Sequence, residues 1–186
     1  MRKGLVSVLM IPLLLLVGCG EREAEPEDAF ASFREEMQAA GRIGTAADLT
    51  ADFGGTVSEY TLSVESDGEE TTVTVTAPEL IAGVTATVRA GETSLAYDGV
   101  MLGAGPLDDE GTTPVSALPV ILRAMAEGYA ELYWNDGSYA AARFYVGETT
   151  ACTVWLAPET RTPVAAEIAS DGRTVITCRF TDWHME

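Results

Sequence analysis

Hydrophobic residues change their spacing several times along the chain, and each change predicts a different kind of structure. From Leu5 to Val17 they run almost without a break, interrupted only by Ser7 and Pro12. That run is too short to cross a bilayer, which takes roughly 20 apolar residues. Preceded by Arg2 and Lys3, it has the proportions of a signal-peptide core. Residues 20–27 are charged and aperiodic and predict a short flexible tether. Helical spacing follows: Phe30, Phe33 and Met37 share one face of a helix predicted over Glu27–Ala40. Glu27 and Asp28 suit its positive end, and Gly41 its termination.

From Ala46 to Leu102 the period becomes two. Tyr60, Leu62 and Val64 alternate with Thr61 and Ser63, Val73 and Val75 with Thr72, Thr74 and Thr76, and Val84, Ala86 and Val88 repeat the rhythm. Turn pairs at Asp67-Gly68, Ala90-Gly91 and Asp98-Gly99 separate the runs. The pattern predicts an antiparallel meander with one apolar face and one face of threonine and serine. Pro78 falls just past a strand, where its missing N–H costs little. Residues Gly103 to Gly111 read as a loop. Thr113-Pro114 resembles a helix cap with proline in the first turn, but Pro119 argues against one unbroken helix. A turn followed by a helix over Leu118–Glu127 is therefore expected, with Leu118, Ile121, Leu122 and Met125 on its apolar face and Gly128 at its end. Strand periodicity resumes at Tyr129–Trp134, Tyr139–Val146, Ala151–Leu156, Val164–Ala169 and Arg173–Thr181, with turns at Asn135-Asp136-Gly137 and Ser170-Asp171-Gly172. The fold class expected is α+β. It is a single-domain, antiparallel, half-open β-barrel of ten or eleven strands, with an N-terminal helix and a helical insert covering the concave face.

Leu16-Val17-Gly18-Cys19 resembles the bacterial lipobox. That resemblance implies cleavage at Gly18-Cys19 and a diacylglyceryl group on the Cys19 thiol. Residues 1–18 are then a lipoprotein signal peptide, 19–27 the lipidated N-terminus and tether, and 28–186 the folded domain. The location implied is the extracytoplasmic face of the cell membrane, with Cys19 as the membrane attachment. Removing residues 1–18 from the 186-residue chain leaves 168 residues, enough for one domain with a real core. It also removes Arg2 and Lys3 but no acid, so a net charge of −18 becomes −20. A surface this acidic repels nucleic acid and lacks the basic patch that binds anionic lipid.

Two further cysteines, Cys152 and Cys178, sit in the first and third strands of a meander with residues 163–169 between them. An exported protein can form disulfides, and closing this loop would contribute about 3.5 kcal/mol. Two strand spacings are roughly 9.6 Å, however, and a disulfide needs Cα atoms within about 7 Å. Two buried free thiols fit better than a bridge.

The order of elements resembles the LolA and LolB superfamily of lipoprotein carriers. The segments that carry the resemblance are Thr76-Ala77-Pro78-Glu79, Ile81-Ala82-Gly83-Val84 and Leu95-Ala96-Tyr97-Asp98-Gly99. Pro114 to Leu122 and Cys178-Arg179-Phe180-Thr181-Asp182-Trp183 complete it, and together they look nearest to lipid-anchored LolA-like proteins of Gram-positive anaerobes. The resemblance implies an incomplete barrel of about eleven strands, lidded by helices over a hydrophobic interior. It covers most of residues 28–186, through fold markers and no catalytic signature. No residue matches a carrier's lid-locking arginine.

The inventory for catalysis is poor. His184 is the one histidine and lies near the C-terminus, where chains fray. Cys152, Cys178 and His184 show no zinc-ligand spacing, and the acidic clusters Glu69-Glu70 and Asp108-Asp109-Glu110 lack the alternation of a calcium loop. No catalytic role, cofactor or metal is expected. Two binding functions remain. In one, Leu118, Ile121, Leu122 and Met125 line a cavity for an acyl chain or lipidated peptide; the same four would equally fill a closed core. In the other, the fold is a non-catalytic scaffold for an envelope protein partner, such as a cell-wall or spore-cortex enzyme. Trp134, Tyr133 and Tyr139 beside one hairpin turn are the candidate contact residues.

Overall fold

The computed structural model describes residues 25–186; the signal segment, Cys19 and most of the tether lie outside the described residues. Its elements are helix α1 (Pro26–Ala39), strands β1 (Ile43–Asp52), β2 (Val57–Ser66), β3 (Glu70–Ala77), β4 (Thr85–Arg89), β5 (Glu92–Tyr97) and β6 (Val100–Gly105), then helix α2 (Pro114–Glu127). Strands β7 (Ala130–Asp136), β8 (Tyr139–Tyr145), β9 (Thr150–Leu156), β10 (Pro163–Ser170) and β11 (Arg173–Met185) complete it. All eleven strands form one antiparallel sheet in the order β6-β5-β4-β3-β2-β1-β11-β10-β9-β8-β7. The two meanders join through β1 and β11, whose register runs from Ile43 opposite Met185 to Ala51 opposite Ile176. The sheet does not close, because β6 and β7 are its free edges. A sheet of this width curls rather than staying flat, and the result is the half-open barrel expected of the sequence.

The strand patterns follow burial. Leu62, Val64, Val73, Val75 and Ala86 point into the core, whereas Thr72 faces Thr87 and Thr74 faces Thr85 on the outer surface. In the second half Phe144, Cys152, Val154, Leu156, Ala166, Ile168, Ile176 and Cys178 are fully buried. Cys152 lies opposite Ile168 and Cys178 opposite Ala166, so a whole strand separates the cysteines and both are free. Burial in an apolar setting disfavours the thiolates; it pushes Cys178 up to about 12 and Cys152 higher still, so both stay protonated at neutral pH.

Helix α1 lies on the concave face. Its Phe33 ring packs 5.7 Å from Trp183 of β11, and Phe30 stands 6.0 Å from Phe144 of β8 and 5.8 Å from Tyr133 of β7. One turn of aromatic residues therefore bridges the join of the meanders and the far edge.

The structure corrects the sequence reading in three places. Residues 114–127 form one helix with Pro119 inside it, not a turn and a shorter helix. Proline at 119 removes only the N–H that would reach Val115, and strong N-terminal capping with deep burial offsets that loss. The cap is reciprocal: Thr113 Oγ1 accepts from the Ser116 N–H, and the Ser116 hydroxyl from the Thr113 N–H. Residues 103–105, expected in a loop, complete β6. The chain end is also ordered, since β11 continues to Met185 and His184 pairs with Gly44.

Asp108, of the acidic cluster at 108–110, anchors the start of α2. Its carboxylate accepts from the Glu110 N–H at 3.1 Å, the Thr112 N–H at 2.6 Å, the Thr112 hydroxyl at 2.9 Å and the Ser116 hydroxyl at 3.0 Å. Burial pushes the Asp108 pKa up, but these donors outweigh it, and the net shift is downward. A depressed folded-state value contributes stability that is complete above the unfolded pKa of about 3.9 and is lost as pH falls through the folded value. Asp108→Asn keeps one acceptor oxygen but loses the charge, and at this partly exposed site it should cost about 1 kcal/mol at pH 7. It should also flatten the loss of stability between pH 5 and 3, as read by urea unfolding. Equal acid sensitivity in both proteins would show that other carboxylates carry it.

Candidate functional site

The loop before α2 is held down at both ends. Beyond Asp108, the Thr150 hydroxyl donates to Glu110 at 2.5 Å, and Gly111 sits at φ +76° against Val120 and Ile168, where a Cβ would approach Ile168 to 2.7 Å. Only glycine satisfies that close approach and that backbone angle together.

The fixed loop, the C-terminal ends of α1 and α2, and the β2–β3 and β4–β5 turns surround a cleft of about 660 Å³ at the barrel mouth. Met37, Ile43, Val88, Leu107, Val120 and Leu122 supply its apolar lining. Among the described residues two other depressions are present. One, of about 470 Å³, lies on the hydroxyl-rich sheet around Asp48, Tyr60 and Pro78; the other, of about 620 Å³, is beside Glu27, Glu131 and Tyr133. Neither has comparable apolar walls. A concave, mostly apolar site with a few polar groups at its rim is the usual form of a small-ligand pocket.

Of the four helix residues singled out from sequence, only Leu122 reaches this cleft. Leu118, Ile121 and Met125 are buried in the core beneath it. Val120, Arg123 and Ala126 of α2 line it as well, and the rest comes from α1, β1, the β2–β3 turn, β4 and the loop, which helix periodicity alone does not bring together.

The rim is acidic. Asp67, Asp108, Asp109 and Glu127 border the opening, against one arginine, Arg123, which donates to the Asp109 carbonyl at 2.7 Å. The Asp67 carboxylate is held below its ordinary pKa by the N–H groups of Glu70 and then Glu69, so it stays charged at neutral pH. A carboxylate or phosphate head group would meet repulsion here.

The helices that roof the cleft are joined by a residue the sequence reading did not single out. Arg34 of α1 donates through Nε to the Met125 carbonyl at 2.9 Å and through Nη2 to the Gly128 carbonyl at 2.7 Å. Gln38, one turn on, donates to the Ala126 carbonyl at 2.9 Å. These carbonyls are the unsatisfied end of α2, where a cation is also favoured by the helix dipole. The sequence signal was slight: Arg34 is the one basic residue of an otherwise acidic helix.

The remaining chemistry-bearing groups do not converge. His184 Nε2 lies 3.8 Å from Glu65 on the surface, the two thiols are in the core, and among the described residues no cluster of three or more metal-ligating side chains occurs. On the outer face of β7–β9, Trp134 and Trp155 flank the buried Ala141, Trp155 donates to Asp136 at 2.9 Å, and Arg143 lies 6.0 Å over Trp134. Leu132, Tyr139 and Tyr145 extend this patch into solvent. Tyr133 points the other way, onto Phe30.

An open eleven-stranded antiparallel barrel with helices over its concave face and a cleft at the mouth is the LolA-like fold. Solved structures agree. A LolA superfamily protein of Nitrosomonas europaea superposes with a TM-score of 0.52 at 10% identity, over 87% of this chain and 94% of that one. A conserved protein of Thermus thermophilus gives 0.52 at 7% identity, over 86% and 87%. A DUF1329 family protein of Desulfovibrio piger gives 0.50 at 10% identity, over 87% and 94%. No family profile and no curated protein matches the sequence. At these identities the likeness is one of fold.

Proposed function

We propose that this is a non-catalytic, lipid-anchored binding protein of the extracytoplasmic membrane face. It holds an acyl chain, or the acylated end of a lipidated peptide, in the cleft between α1, α2 and the β2–β5 turns. The cleft itself carries the reading: about 660 Å³ with apolar walls, at the mouth of a fold whose deeper core is filled by side chains. The anchor rests on Arg2, Lys3, the apolar run and the lipobox-like Leu16–Cys19. The acidic rim selects for a neutral or cationic head.

A second reading is supported by the outer aromatic patch, whose tryptophan, tyrosine and arginine are the residues most enriched at protein-binding hot spots. There the protein would be a scaffold for an envelope partner.

Native mass spectrometry of the protein purified from lipid-rich cells separates the two. An added acyl mass is expected, absent from Leu122→Arg and from Ala126→Trp, which fills the cleft without burying a charge. A clean apo mass that survives incubation with diacylglycerol and lipopeptide would sink the acyl reading and leave the aromatic face as the working surface.

A further inference from the structure

The sheet's two edges are treated differently. Edge strand β7 carries Glu131 and Asp136, and charge is a common protection against unwanted strand pairing. Edge strand β6 reads Val-Met-Leu-Gly-Ala-Gly, without a charge or a proline. Val100, Met101 and Leu102 are 60%, 71% and 64% exposed, and among the described residues nothing covers them. Register places them on both faces. Leu102 lies opposite Leu95, Leu95 opposite Ala86 and Ala86 opposite Val73, so Leu102 continues the concave apolar row, while Met101 faces outward with Ala96.

We infer that β6 is a docking edge for an extended segment of another protein, apolar at alternate positions and basic at both ends, which adds as a twelfth strand. Three features select this occupant. An acyl chain would cover Val100 and Leu102 but leave Met101 and the unpaired N–H and C=O row in water; a strand engages all of them. Acids flank the apolar edge at both ends, Asp98 before it and Asp108 and Asp109 after it, so basic termini complement it. A second copy is disfavoured by the same charges. Antiparallel self-pairing centred on Leu102 would set Asp98 of each copy beside Pro106 of the other, with Asp108 and Asp109 close by, at both ends of the joint. No residue of β6 lines the cleft, although Asp108 and Asp109 border both.

The test uses the full-length protein in zwitterionic nanodiscs and a fluorescein-labelled probe peptide, Lys-Lys-Val-Thr-Val-Thr-Val-Lys-Lys, followed by anisotropy. Glu-ended and proline-interrupted versions serve as controls. The Lys-ended peptide should bind at least about tenfold tighter than either, a difference of about 1.4 kcal/mol. Leu102→Ser, at an exposed site that should not disturb folding, should weaken it about tenfold, and Leu132→Ser on the opposite edge should not. Asp98→Asn, which suits the left-handed backbone there, should weaken only the Lys-ended peptide and reduce its salt dependence. Binding indifferent to the charged ends or to Leu102→Ser would overturn the inference. So would sedimentation of the protein as a dimer that Leu102→Ser dissociates, because the edge would then belong to a second copy.

Discussion

Phe33→Ala is expected to destabilise the protein by about 3–5 kcal/mol, the range for deleting a fully buried aromatic side chain. Phe33 is 1% exposed and packs on Trp183, which in turn lies 5.9 Å edge-on from Phe180. The ring therefore closes α1 onto β11 at the seam between the meanders, where the neighbouring sheet backbone is held on both sides and cannot collapse into the space left behind. In a domain of this size each kcal/mol shifts the melting temperature by about 2–4 °C, so a fall of roughly 6–20 °C follows. Phe33→Leu, which keeps most of the volume, should recover more than half of it. If calorimetry gave a loss below about 1 kcal/mol, α1 would not be an integral part of the core.

Arg34→Ala carries the second large effect, because it strips two carbonyls at the end of α2 of a charged donor. The expected cost is about 2–3 kcal/mol, the scale of hydrogen bonds to a charged group at a partly buried site. Arg34→Lys should rescue little, since one ammonium does not reproduce a planar fork reaching two carbonyls three residues apart. The effect has a functional side. The same contacts hold α1 against α2 over the cleft, so amide exchange should accelerate in α1 and the last turn of α2 while β1–β11 pairing stays protected. Uniform acceleration across the sheet would instead mean that Arg34 contributes only to global stability. An arginine with this role was not legible in the sequence, because its partners are backbone carbonyls 91 and 94 residues away and have no side-chain identity to read.

The same distinction separates other successes and failures of sequence reading. The period-two runs place Leu62, Val64, Val73 and Val75 inside and their threonine neighbours outside, because alternation is a local property of extended backbone. Helix α1 was readable for the same reason, from Phe30, Phe33 and Met37. Pro119 misled because the penalty for an interior proline is local, whereas what offsets it is not: the Asp108 cap and the burial of Leu118, Ile121 and Met125.

By itself, then, the sequence determined the order of strands and helices and their amphipathic faces, but not the full extent of α2, β6 or β11. It also established the strong negative charge and the separation of Cys152 from Cys178, since all of these follow from local periodicity, composition and short spacings. The tertiary structure alone decided that β1 pairs with β11, that Leu122 reaches the cleft while Leu118 and Ile121 fill the core, and that β6 is left as an uncharged edge. Those outcomes depend on which distant segments meet when a wide twisted sheet curls around two helices, and hydrophobic burial, being non-directional, does not encode that choice in any one stretch of residues.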